Sequence, residues 1–185
     1  MGRERISIFK NLRERFIEIK MNLRKLNEKD AKLMIEWMHD NSITENLLSN
    51  FSQKSIDDCI SFIRKSLIDE ENINLAIVDE NDIYMGTVSL KHINNDTKTA
   101  EFAIIVRRAA MGRGYSIFGM KKIFELAKEE LKLETIYWCV LKSNLRAIRF
   151  YNKYDFKLYP NMPSYYVQFY PESILRDLIW YAIQL

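Results

Sequence analysis

The segment Met111-Gly112-Arg113-Gly114-Tyr115-Ser116 is the place in this chain where backbone, rather than side chains, is arranged for chemistry. It stands between TAEFAIIV (99–106), which reads as a strand, and KKIFELAKEEL (121–131), which reads as a helix. Three of the five glycines fall between residues 112 and 119. Glycine weakens helices and strands and is kept where the chain turns sharply or approaches something closely. Strand, glycine loop and helix together gather backbone amides at a helix N-terminus, where an anion such as a phosphate is held. The same glycines also fit a plain strand-to-helix turn. A second pair, Asn144 and Tyr151, lies seven residues apart in NLRAIRFYNKYDF (144–156). Two helical turns put both on one face, where they can meet an extended ligand at two points. Tyr151 also reads as a core aromatic with its hydroxyl at the surface.

The elements that must position these residues follow from periodicity. Ile17, Ile19, Met21 and Leu23 alternate with polar residues as in a half-buried strand. NEKD (27–30) supplies caps for a helix carrying Leu33, Met34, Trp37 and Met38 on one side. Ser55 and Asp58 form a weaker capping pair before Ile56, Ile60, Ile63 and Leu67. NLAIV (74–78), IYMGTVSL (83–90) and TAEFAIIV read as strands joined by turns, hence antiparallel. After the glycine loop, Ile117, Met120, Phe124, Ala127 and Leu131 mark a helix, TIYWCVL (135–141) a strand, and residues 144–154 a short helix. FKLY (156–159) and DLIWYAI (177–183) close the chain as strands, with all three prolines in the connection between them. The strand-helix-strand crossover after the loop is expected to be parallel and right-handed. The fold class is therefore α/β (α+β), a mixed, mostly antiparallel sheet with helices on both faces. Residues 1–16 read as a basic extension and 17–185 as one domain.

Composition narrows the classes of function. The net charge of +3 comes from the first 20 residues, which carry six basic and three acidic side chains; the rest balances at 22 of each. A globally basic nucleic-acid binder is not indicated. No apolar run approaches the roughly 18 residues of a membrane span, and the N-terminus lacks the apolar core of a secretory signal. Cys59 and Cys139 sit inside apolar patterns and read as buried thiols, in keeping with a cytoplasmic location. His39 and His92 are far apart and near no cysteine cluster, so no metal site is expected.

On the glycine loop and the Asn144…Ala147…Tyr151 helix, the chain resembles the GNAT N-acetyltransferase superfamily, in particular its RimJ/RimL-like and polyamine-acetyltransferase-like branches. Residues 111–116 fall on the family's Gln/Arg-x-x-Gly-x-Gly/Ala pyrophosphate loop, with Met111 in place of Gln/Arg and Ser116 in place of the small final residue. Residues 144–151 fall on its Asn-x-x-Ala-x-x-x-Tyr helix, with Asp155 where a glycine usually precedes the phenylalanine. The resemblance implies acetyl-CoA as cosubstrate and no metal. It implies that Met111, Gly112, Arg113, Gly114, Tyr115 and Ser116 hold the pyrophosphate and that Asn144 meets the pantetheine. The strand carrying Ile104, Ile105 and Val106 would splay from its neighbour, pair with the pantetheine arm and offer an amide to the thioester carbonyl.

It further implies direct acetyl transfer to an amine, with Tyr151 as general acid for the CoA thiolate and no cysteine nucleophile. Glu101 is the candidate base or an electrostatic lure for a cationic amine; an exposed strand-edge glutamate is the competing reading. The acceptor is expected between the first two helices and the C-terminal strands, walled by residues 39–51 and 159–173. A small amine, an amino sugar or polyamine for example, is favoured over a protein N-terminus. A non-catalytic CoA-binding module is the alternative from another class. No nucleic-acid or membrane partner is expected, and a homodimer is allowed for.

Overall fold

Alternation in the strands decides which side of the sheet each helix covers. In this computed structural model, which describes residues 20–185, Ile77 packs with Met120 and Ile123 on one face, while its neighbours Ala76 and Val78 pack with Met34, Trp37 and Ile63 on the other. The expected extension and the strand positions Ile17 and Ile19 lie outside the described residues.

The first strand, β1, is Asn22–Lys25. Asn27 and Asp30 then exchange side-chain and backbone hydrogen bonds as a capping box, leading through a single 3₁₀ turn into α1, Ala31–Met38. A one-turn helix α2 spans Asn41–Thr44. Ser55 and Asp58 form a second full capping box at the head of α3, Ile56–Ser66. Strands β2 (Ile73–Val78), β3 (Tyr84–Asn94) and β4 (Thr99–Val106) follow as an antiparallel meander. Helix α4 is Tyr115–Glu129, β5 Thr135–Leu141 and α5 Leu145–Lys153. Beyond β6, cut to Leu158–Tyr159, two one-turn helices, α6 (Ser164–Val167) and α7 (Glu172–Leu175), lead to β7, Leu178–Gln184.

The seven strands run in the order β1-β2-β3-β4-β5-β7-β6, with β4 and β5 the parallel pair. Helices α4 and α5 cover one face. Helices α1 and α3 cover the other beside β2 and β3, and the segment around Tyr166 and Leu175 covers it beside β5 and β7. The sequence-based order of main elements holds; α2, α6 and α7, too short to show a period, are additions. Among the described residues no helix is long and apolar enough to cross a membrane.

Candidate active site

Strands β4 and β5 pair at three positions only: Thr99 with Thr135, Ala100 with Ile136, and Glu101 with Tyr137. Past that rung β4 continues on β3 as far as Val106, and β5 continues on β7 as far as Leu141. The two strands therefore part, and their facing edges offer backbone groups that no strand among the described residues takes up. A cavity of about 560 Å³ opens there. Glu101, Ile104, Ile105, Asn144 and Tyr151 all line it.

Tyr151 belongs to the α4/α5 face, where its ring packs 5.5 Å from that of Trp138 and 4.9 Å from that of Tyr181. Burial holds its hydroxyl proton well beyond the ordinary tyrosine range, with smaller contributions from Tyr181 and Cys139. It is an acid that stays protonated. Its helix begins at Asn144, whose Oδ1 accepts from the Ala147 amide at 3.1 Å, so this asparagine is an N-cap and keeps its side-chain NH₂ for a ligand. The helix ends with Asp155 at φ 56°. Aspartate tolerates that left-handed conformation, which accounts for a non-glycine residue there.

Glu101 is on the opposite face, 2% exposed. The reading of an exposed edge glutamate is overturned: Glu101 pairs on both sides, with Lys91 of β3 and Tyr137 of β5. Its Oε1 accepts from Lys91 Nζ at 3.1 Å and from the Tyr170 hydroxyl. Its Oε2 is buried without a hydrogen-bond partner among the described residues. Cys139 also lines the cavity, but burial pushes its thiol up to about 12, so it is not the thiolate a nucleophile requires. Both cysteines are free.

At the other end of β4 the chain makes a 3₁₀ turn, Arg108–Ala110, and enters the glycine loop. Gly112 and Gly114 take φ 72° and 90°, and no side chain caps α4 at Gly114. The first amides of a fifteen-residue helix are left for an anion. Tyr115 is fully buried, so it offers its amide and not its side chain. Met111 Sδ accepts from Arg146 Nη1 at 3.2 Å, Arg113 lies over the Tyr115 ring at 5.9 Å, and Ser116 is half-buried. Val106 and residues 111–116 lie beyond the cavity lining, which reaches β4 at Ile104 and Ile105.

On the α1/α3 side the cavity is lined by Trp37 of α1, Phe62 of α3, Leu47 and Phe51 of the connection between them, and Thr87 and Ser89 of β3. Of residues 159–173 only Tyr170 reaches it. Tyr166 is instead core, bonded to Thr99 Oγ1 at 2.7 Å, and Tyr159 packs on Tyr137. Sequence reasoning missed Lys91 and His92, which flank Glu101.

Residues 20–157 match the acetyltransferase (GNAT) domain family. The chain belongs to the GNAT acetyltransferase family. Among curated relatives of this GNAT enzyme, acetyltransferase PseH of Campylobacter jejuni (strain NCTC 11168) is 26% identical over 147 residues, 78% of this chain and 88% of the relative. Spermidine N(1)-acetyltransferase of Vibrio cholerae is 24% identical over 139 residues, 74% of this chain and 78% of the relative. The fold matches a solved structure of the Vibrio cholerae spermidine N-acetyltransferase with CoA and spermine at TM-score 0.72 and 21% identity, covering 89% of this chain and 95% of that one. Another structure of that enzyme is described as dodecameric. The present GNAT chain is an N-acetyltransferase with acetyl-CoA as donor.

Proposed function

We propose that this GNAT enzyme transfers acetyl from acetyl-CoA directly to a primary amine of a small molecule. The observation that carries this reading is that one cavity reaches Tyr151 on one face of the sheet and Glu101 on the other. The residues fit the donor: the open edge of β4 at Ile104–Val106 matches a pantetheine arm lying as an added strand, and the uncapped α4 N-terminus matches a pyrophosphate. An amide of that edge meets the thioester carbonyl, where negative charge develops.

An alkyl ammonium, with an ordinary pKa of about 10.4, must lose a proton before it attacks. Glu101 takes that proton. The amine then attacks the acetyl carbon, the tetrahedral adduct collapses, and Tyr151 protonates the departing sulfur. Positioning and the oxyanion-binding amide supply most of the acceleration.

The lining also bears on the acceptor. Lys54 and Lys91 offset Asp58 and Glu101, so the cavity offers a polycation little net attraction. Aromatic and apolar walls with Asn46, Thr87 and Ser89 suit a compact amine with hydroxyl groups, as in an amino sugar, better than an extended polyamine. Thiol release from acetyl-CoA over a panel of amino sugars, polyamines and short peptides tests this. Turnover with a compact amine supports it; turnover with peptides alone refutes it.

A further inference from the structure

We propose that His92 carries the acceptor's proton from Glu101 out to solvent. The inference rests on the reading of Glu101 as the base. While the ligands fill the cavity, a carboxylate 2% exposed has no direct route to bulk water, yet it must be reset at every turnover.

The two oxygens of Glu101 have different surroundings. Lys91 and Tyr170, which donate to Oε1, both line the cavity. The orphaned Oε2 lies 3.9 Å from His92 Nε2, and His92 is not a lining residue. Its side chain is 27% exposed. Cavity, carboxylate, imidazole and solvent thus stand in sequence.

The backbone is bent to make this arrangement. On a regular strand, consecutive side chains point to opposite faces, so Lys91 and His92 could not both approach Glu101. Between Lys91 and Asn94 the β3–β4 register shifts, and His92 sits in that irregularity at φ 50°. The shift turns His92 to the same side as Lys91, as bulges beside functional sites do. Its amide is held by Asn72 Oδ1 at 3.0 Å, and its ring lies parallel to Phe169 at 3.5 Å, which fixes the plane of the imidazole.

A lowered proton affinity suits a group that must give its proton up to solvent. Burial depresses the proton affinity of His92 below its ordinary value, Glu101 and Glu71 raise it, and Lys91 lowers it. The ring is neutral at pH 7 and free to accept. The ammonium N–H breaks as an O–H forms on Glu101. The neutral carboxyl, held less tightly by Lys91, turns about its terminal bond. Its O–H then breaks as an N–H forms on His92 Nε2, and solvent takes that proton.

The test uses the full chain, with steady-state acetyl transfer at saturating substrates measured for wild type, His92→Asn and Glu101→Gln. Asparagine keeps the left-handed backbone readily. His92→Asn should slow transfer on the order of 10-fold, with acetyl-CoA affinity unchanged and the rate restored by added imidazole. A rate equal to wild type, or a loss that imidazole does not restore, overturns the relay. If Glu101→Gln is slow while His92→Asn is not, the relay alone falls. If Glu101→Gln keeps the wild-type rate, the base assignment falls and the relay with it.

Discussion

Glu101 and Tyr151 stand on opposite faces of the sheet and line the same cavity. Glu101 is the last residue of β4 to pair with β5, and its partner Tyr137 precedes Trp138, the residue on which Tyr151 packs. The parting of the strands immediately beyond that rung is what connects the two faces. In the proposed mechanism donor chemistry lies against the α4/α5 side and acceptor chemistry against the α1/α3 side.

A ligand that binds only the folded chain stabilises it by mass action, about 2.7 kcal/mol at a hundred times its Kd. For a domain of this size that raises Tm by roughly 5–10 °C. CoA and acetyl-CoA are each expected to do so in a thermal melt. Gly114→Val should abolish the shift, because Gly114 stands at φ 90° in the loop proposed to take the pyrophosphate, and valine resists that backbone. An unchanged shift in that variant places the phosphate site elsewhere.

Gly86 faces the functional half of β4 directly. A Cβ there would lie 2.5 Å from the Ile105 carbonyl oxygen and 2.9 Å from Val106 Cα, both backbone atoms that cannot swing aside. Gly86→Ala is expected to cost about 1–3 kcal/mol, the usual range for overpacking, and to weaken CoA binding by displacing Ile105 and Val106. Denaturant midpoints and a CoA titration measure the two effects; wild-type values for both contradict the account.

The role of Glu101 divides in kinetics. As a base, Glu101→Gln lowers kcat and leaves the amine KM little changed. As a lure for a cation, the same change raises the amine KM, and the effect fades as salt shortens the reach of the charge to about 8 Å at physiological ionic strength. The first outcome is expected, because Lys91 already stands against the carboxylate and spends its charge.

How much of this was written in the sequence depends on the range of the signal. The glycine loop and the Asn144–Tyr151 spacing are local, and periods of two and of three to four placed their flanking strands and helix. The surroundings of Glu101 are not local. Counting back along the hairpin from the Asn94–Thr99 pair would set His92 opposite Glu101; the irregularity shifts the register and sets Lys91 there instead. Tyr170 reaches Glu101 across 69 residues, from a segment of one-turn helices with no period to read. Tyr166, in the same segment and of the same residue type, is buried against Thr99.

Cys139 tests whether any covalent route is in play. With its thiol pushed up to about 12, roughly one molecule in 10⁴ carries a thiolate at pH 8. Iodoacetamide at pH 8 should leave Cys139 unmodified in the folded chain, and Cys139→Ala should keep kcat within a few fold. Mass spectrometry of the treated protein and the variant's turnover check both. Rapid labelling with loss of activity would reopen the nucleophile.

The most direct measurement is the single-turnover rate of acetyl transfer in Tyr151→Phe against wild type, with acetyl-CoA affinity measured alongside. Because burial raises the Tyr151 hydroxyl pKa, the group stays protonated as pH rises through neutrality, and its ionisation removes no activity below about pH 10. The expected result is a rate lower on the order of 10²-fold, unchanged acetyl-CoA affinity, and a basic limb that stays in place. A wild-type rate in Tyr151→Phe would contradict the assignment of the leaving-group acid and, with it, the reading of the cleft between β4 and β5 as the site of transfer.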